Sequence, residues 1–407
     1  MWDESGRSWI DFLAGAGALN YGHNPPEIRA RLIAHLESDA ISHALDLHTS
    51  AKRTFLEEFE RVVLVPRAMP HKVQFTGPTG ANAVEAALKI ARKATGRTGV
   101  FACMGGYHGM SLGALGVTSN AEARGGAGVS MGDVTFVPFP GGTTAGIDSL
   151  SWIRTLVTDT HSGVALPAAI IVEPVQAEGG INVAPAEWLR GLRALCTEFG
   201  IVLIFDEIQT GCGRTGPFLA ADHAGVMADI ITLSKSISGY GLPMSLVLLR
   251  PELDLWKPAE HNGTFRGNQM AFVAATAALE LFERLDIPSL VESAALVVSD
   301  FVTKEVLGLH SGLALRGVGL MWGVDTAGVG DGAGALAAAV ARRCYESGLV
   351  IERCGRGDTV LKLLPPLTIA PEELVLGLSI LRDCVAAELA GAIRADGASA
   401  WVISPVR

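Results

Sequence analysis

The sequence predicts an α/β fold: a large unit with a mostly parallel central sheet, plus a smaller α+β unit. Three observations carry that reading. From about residue 72 to 250, short apolar runs alternate with helix-patterned stretches. Those runs (99–104, 134–139, 168–174, 201–206, 229–234 and 245–249) are almost continuously apolar rather than alternating. Such strands, separated by helices, belong to a sheet covered on both faces. Beyond about residue 285 the pattern changes to long helical stretches mixed with a few strand-like ones.

Taken in order, segments 82–95 and 187–199 carry apolar residues at three- and four-residue spacing and read as helices. Segment 268–285 is a further helix, leading into another around 290–307. Segment 313–325 reads as strands, 333–347 as a helix and 359–364 as a strand. The expected organisation is an N-terminal segment, 1–45, that joins the small unit, a large unit over 46–285, and a small C-terminal unit over 286–407.

Composition narrows the class of protein. Hydrophobic residues make up 49% of the 407 and charged residues only 18%, which fits a large core and an extensive subunit interface. The longest apolar runs are far too short to cross a bilayer. Met1-Trp2-Asp3-Glu4 is neither a basic nor an apolar leader. The six cysteines form no CxxC pair, which points to a reducing cytosol and away from a metal cage. A formal charge of −10 disfavours nucleic acid or an anionic membrane as partner. The histidines show no metal-ligand spacing, so no metal is expected.

Chemistry gathers where the apolar runs stop. One run ends in Asp206-Glu207-Ile208-Gln209, another in Ser234-Lys235-Ser236, and a third in Glu173-Pro174-Val175-Gln176. Ligands of open α/β sheets collect at the carboxyl ends of strands. Alone, a lysine there is usually a solvated loop residue and an aspartate a helix cap. Together, they match a specific chemistry. A desolvated lysine amine attacks an aldehyde. A pyridine-ring aldehyde cofactor needs a carboxylate to keep its ring nitrogen protonated. Gly77-Pro78-Thr79-Gly80-Ala81-Asn82, at a helix start, offers a phosphate cradle, and Tyr107 offers a face for the ring.

These motifs resemble the class III, or omega, aminotransferases of PLP-dependent transferase fold type I. The resemblance rests on Asp206–Gln209 with Gly211, Gly213, Arg214, Thr215 and Gly216, on Ser234-Lys235, and on Glu173–Gln176 with Glu178-Gly179-Gly180. Gly263-Thr264-Phe265-Arg266-Gly267-Asn268 adds to it, and the resemblance covers nearly the whole chain, from Asp11-Phe12 to Pro365-Pro366-Leu367. The resemblance implies pyridoxal 5′-phosphate, with Lys235 as its Schiff-base lysine and proton shuttle and Asp206 on the pyridine nitrogen. Gln209 would bond the ring's phenolic oxygen, Gly80 and Ala81 the phosphate, and Tyr107 would stack on the ring, with His108 beside it. Thr264 would reach the phosphate of a neighbouring subunit, making a homodimer part of the site. Glu178 would be a gate carboxylate. Lys362, Asn20 and Tyr21 complete the expected substrate set.

Within that family, Ala14-Gly15-Ala16-Gly17-Ala18-Leu19-Asn20-Tyr21-Gly22-His23 and Trp256-Lys257-Pro258 resemble the diaminobutyrate-type branch known from ectoine synthesis. That resemblance implies transfer of the terminal amine between L-2,4-diaminobutyrate and 2-oxoglutarate in a cytoplasmic enzyme. Other readings stay open: another omega-amine such as 4-aminobutyrate or ornithine, an aminomutase or racemase, or a non-catalytic protein of the same fold. Three positions depart from many relatives, which carry Arg where this chain has Lys362, Glu where it has Asn82 and, in ornithine-type members, Arg where it has Met110. A nicotinamide dehydrogenase is disfavoured, since no GxGxxG follows an early strand.

Overall fold

The structure, a computed structural model, describes residues 1–396, with side chains through Gly391. The end of the expected C-terminal unit, 397–407, lies outside the described residues. The large unit is built on seven strands: β1 (Lys72–Phe75), β2 (Val100–Cys103), β3 (Val134–Val137), β4 (Ala169–Val172), β5 (Val202–Asp206), β6 (Ile230–Leu233) and β7 (Leu246–Leu249). Their order across the sheet is β1-β7-β6-β5-β4-β2-β3. Only β7 runs antiparallel to its neighbours.

Strands β2, β4, β5, β6 and β7 are buried at every residue, which is why their sequences read as unbroken apolar runs. Strand β1 is absent from the expected runs for a physical reason. It lies at an edge, only partly buried, so Lys72 and Gln74 interrupt its apolar residues.

Helix Gly80–Thr95 packs over β5, β6 and β7. It presents Ala83, Val84, Ala86, Ala87, Leu88, Ile90 and Ala91 to them. The alanines let the helix approach closely, and each fully buried Leu or Ile contributes about 1.5–3 kcal/mol. The helix stops at Gly96, whose φ of 69° suits a residue without Cβ.

The small unit holds a four-stranded antiparallel sheet of β8 (Ala314–Val318), β9 (Met321–Asp325), β10 (Glu352–Cys354) and β11 (Val360–Leu363), in the order β8-β9-β11-β10. Helices Ala333–Glu346 and Pro371–Asp396 pack against each other beside it. Strand β10 and the last helix go beyond the sequence reading. The N-terminal segment is divided between the units. Ile10–Asp11 pairs in parallel with Leu349–Val350, whereas helix Pro26–Glu37 lies along helix Gln269–Arg284 of the large unit.

Arg214 ties these parts together. Its guanidinium is fully buried and donates to Asn20 Oδ1 (2.6 Å), Leu320 O (3.0 Å) and Pro365 O (2.6 Å). Among the described residues, no helix is long and apolar enough to cross a membrane. The six cysteines are free and buried.

Candidate active site

The adjacent carboxyl ends of β4, β5 and β6 open onto a cavity of about 280 Å³. Lys235, Asp206, Gln209, Glu178, Tyr107, His108, Gly80 and Ala81 all contribute to its wall. A larger cavity of about 660 Å³, around Arg190, Arg193 and Asp229, contains none of them. It faces the start of β5 rather than its end, the wrong edge for ligands of a parallel sheet.

Lys235 lies one residue beyond the end of β6, after Ser234, and has a φ of 46°, a left-handed conformation uncommon for a residue with a side chain. Its neighbour holds it there. Ser236 Oγ donates to Gly17 O (2.9 Å) and accepts from the Asn20 amide (3.1 Å), so the turn is tied to the N-terminal loop. Burial brings the Lys235 ammonium down to about 8; Glu178 resists that shift and Lys362 adds to it.

Asp206 closes β5 and is buried. Its Oδ2 lies 2.7 Å from His108 Nδ1, and its Oδ1 accepts from Thr232 Oγ1 (3.1 Å) and the Ile208 amide (3.1 Å). Thr232 is Asp206's register partner on β6, so the sheet itself supplies that bond. Burial acts to lower the His108 imidazole, but Asp206 outweighs it and the net displacement is upward. The His108 amide donates to Thr118 Oγ1 (2.9 Å), which fixes the ring against the carboxylate.

The Gly80–Thr95 helix aims its N-terminus at the cavity. Gly80 and Ala81 are its first residues, so their amides have no acceptor within the helix. Asn82 Oδ1 accepts from the Thr79 amide (3.2 Å), so Asn82 serves the cap and leaves those two amides free. Gly109 backs Ala81 closely: a Cβ at residue 109 would fall 2.8 Å from that of Ala81.

Glu178 and Lys362 form an ion pair of 2.5 Å, and Lys362 Nζ also lies 2.8 Å from Glu352 Oε2. Burial alone raises Glu178, but the Lys362 charge outweighs it and holds the carboxyl below its usual range. Lys362, fully buried on β11, is disfavoured as a cation by burial, yet the two carboxylates raise it above its ordinary value. The Gln209 amide donates to Ala16 O and Glu178 Oε1, both at 3.3 Å, and its Oε1 is buried without a partner.

Four expected residues do not line this cavity: Lys362, which meets it only through Glu178, and Asn20, Tyr21 and Thr264. Asn20 is consumed by Arg214 and by Cys212 O (2.9 Å), and the Tyr21 hydroxyl donates to Ala278 O (2.7 Å), so both are structural in place of the substrate role expected of them. Thr264 lies in an exposed turn away from its own chain's cavity. Conversely, Glu173 matters beyond its expected place at a strand end. Its Oε1 accepts from the Tyr107 amide (2.8 Å) and its Oε2 from the Ala177 amide (3.2 Å), clamping two cavity walls. Burial pushes its carboxyl up to about 7. Among the described residues, no group of three or more His, Cys, Asp or Glu is placed to hold a metal ion.

A model of the aminotransferase class-III family matches residues 1–385. The chain belongs to the class III aminotransferases. This aminotransferase is 50% identical over 386 residues to the diaminobutyrate–2-oxoglutarate transaminase of Streptomyces anulatus, covering 94% of this chain and 90% of that one. The transaminase of the same name from Bordetella parapertussis is 49% identical over 386 residues, covering 94% and 88%. Among solved structures, the ornithine aminotransferase from Toxoplasma gondii ME49 superposes with a TM-score of 0.83 at 28% identity, covering 96% of this chain and 89% of that one. The aminotransferase is therefore an enzyme of a family whose members use pyridoxal phosphate.

Proposed function

We propose that this aminotransferase moves the terminal amine of L-2,4-diaminobutyrate to 2-oxoglutarate, giving L-aspartate 4-semialdehyde and L-glutamate, with pyridoxal 5′-phosphate held in the 280 Å³ cavity. One observation carries the substrate pair: Lys362 is covered by Glu178 at 2.5 Å on the cavity's flank. A cation that can be covered or exposed suits two substrates, of which only one has a carboxylate on its reacting carbon. The names of the relatives support the same pair.

The residues present fit the cofactor. Gly80 and Ala81 offer free amides and a helix N-terminus to a phosphate. Asp206, backed by His108, offers a buried carboxylate to the ring nitrogen. Tyr107 offers its face and Gln209 a buried amide with an unpartnered oxygen. When bound, the cofactor supplies an aldehyde that captures amines and a ring that stores an electron pair.

Lys235 supplies an amine that is partly neutral at physiological pH, able to hold and return the proton of the substrate's reacting carbon. Asp206 keeps the ring nitrogen protonated. Glu178 stays over Lys362 while the diamine reacts, because its reacting carbon is a methylene. Glu178 gives way when the oxo acid's carboxylate takes its place. Lys362 meets that carboxylate as a point charge, without an arginine's bidentate fork. Thr264, exposed beside the 68% exposed Phe265, is suited to reach the phosphate of a second subunit in a homodimer. We place the enzyme in the cytoplasm and assign 46–285 to the cofactor-binding domain and 286–407 to the small domain, with 1–45 shared between them.

The test is the visible spectrum of the purified holoenzyme after addition of L-2,4-diaminobutyrate and then 2-oxoglutarate. The reading holds if the cofactor band disappears with the diamine and returns with the oxo acid. It falls if only a different amine discharges the band.

A further inference from the structure

A second cavity, of about 750 Å³, adjoins the first and shares Tyr107 and Glu178 with it. Its remaining wall includes Asn120 and Glu122 from the large unit and the loop from Gly355 to Asp358 from the small one. That loop is docked on the gate residue itself: the Gly355 amide donates to Glu178 O at 2.9 Å. The contact is close, since a Cβ on Gly180 would fall 3.3 Å from Gly355 Cα. Gly355 and Gly357 have φ of 81° and 65°, conformations that suit glycine and set the turn between them.

Arg356 stands at the tip of this turn. Its carbonyl accepts from Thr359 Oγ1, but its guanidinium has no hydrogen bond or ion pair to any described residue. The nearby carboxylate of Asp358 is directed to Arg353 instead, at 3.6 Å. Arg356 is thus an uncompensated cation on a loop fixed to Glu178, lining the space outside the reacting centre.

We propose that Arg356 forms an outer subsite for the carboxylate that both substrates carry at the same distance from the reacting carbon. The inference rests on the substrate pair proposed above. In L-2,4-diaminobutyrate the reacting carbon is C4, and the carboxylate C1 lies three bonds away. In 2-oxoglutarate the reacting carbon is C2, and the distal carboxylate C5 also lies three bonds away. One guanidinium, carried on a loop whose backbone is tied to Glu178, therefore serves both half-reactions. Lys362 addresses the carboxylate next to the reacting carbon, which only the oxo acid and its glutamate product have. Glu122, the other free charge on this wall, has the sign to meet the α-ammonium of the diamine.

The test uses the holoenzyme and the variants Arg356→Gln and Arg356→Lys. Arg356→Gln raises KM for L-2,4-diaminobutyrate and for 2-oxoglutarate together, each by about tenfold, as expected for loss of one charged anchor. The ratio of kcat/KM for L-2,4-diaminobutyrate to that for 1,3-diaminopropane, which lacks the carboxylate, falls by a similar factor. Calorimetric binding of glutarate, which has the chain length but no reacting carbonyl, weakens in parallel, and Arg356→Lys recovers part of each loss. Unchanged KM for both substrates, or a rise for 2-oxoglutarate alone, overturns the outer subsite while leaving the substrate pair standing. If the wild-type enzyme is discharged only by some other amine, the substrate pair falls. Glutarate binding and the KM for 2-oxoglutarate then decide Arg356 by themselves.

Discussion

Lys362 and Glu178 are joined at 2.5 Å although they belong to different units, Glu178 following the end of β4 and Lys362 lying on β11. In the proposed mechanism the pair is a charge that is hidden from one substrate and shown to the other. Because Glu352 also lies 2.8 Å from Lys362, the cation keeps a partner when Glu178 leaves.

Substituting Glu178 with Gln should therefore separate the two half-reactions. The uncovered Lys362 favours a carboxylate on the reacting carbon and repels a cationic diamine. We expect kcat/KM for L-2,4-diaminobutyrate to fall by about tenfold relative to that for 2-oxoglutarate, or ~1.4 kcal/mol of discrimination. Single-turnover kinetics of each half-reaction measure it. An unchanged ratio would show that Glu178 is not the gate.

The Asp206–His108 contact makes a second prediction. Asp206→Asn keeps the shape but removes the charge that protonates the ring nitrogen, and kcat should drop by roughly a hundredfold or more. His108→Gln leaves Asp206 its bonds to Thr232 and Ile208, so the loss should be smaller. Stopped-flow traces of the diamine half-reaction test the order. A His108 variant as impaired as Asp206→Asn contradicts it.

Much of this site was legible in the sequence because parallel strands deliver their next residues to one edge. Asp206, Lys235 and Glu173 stand where apolar runs end, and no fold detail was needed to group them, whereas Glu178 came only with the family resemblance. Asn20 and Tyr21 misled for a different reason. Their motif underlies the site, with Gly17 and Ala16 accepting from Ser236 and Gln209, but their own side chains turn toward Arg214 and Ala278. Motif membership does not reveal side-chain direction. Thr232 and the Glu173 clamp were equally hidden, because both depend on register and loop closure between distant segments. Strand β1 escaped because an edge strand lacks the buried pattern.

The lowered Lys235 value predicts a pH dependence that does not need turnover. Below about 8 the amine is mostly protonated and cannot attack an aldehyde; above it the neutral form dominates. The rate at which apoprotein captures pyridoxal phosphate should rise with pH and level off above about 8, and Lys235→Ala should abolish capture. Glu178 favours the ammonium, so Glu178→Gln should move the midpoint to lower pH. Absorbance-monitored reconstitution across the range measures both, and a midpoint that moves upward instead would refute the electrostatic account.

Arg214 makes a prediction about stability in place of chemistry. It joins the loop after β5 to Asn20 and to two carbonyls of the small unit, Leu320 and Pro365, without any exposed surface. Burial depresses the guanidinium to about 9, so the cation is held by these acceptors at some electrostatic cost. Arg214→Met removes the cation but strands the acceptors, each unsatisfied group costing about 1–3 kcal/mol. Arg214→Lys retains charge yet lacks the reach of a fork, so it should recover little. Both should lower the thermal midpoint by several degrees, at about 2–4 °C per kcal/mol for a domain of this scale. Calorimetry of the holoenzyme decides the matter. A methionine variant as stable as the wild type would mean that the units are held by their apolar contacts, with Arg214 merely filling the space between them.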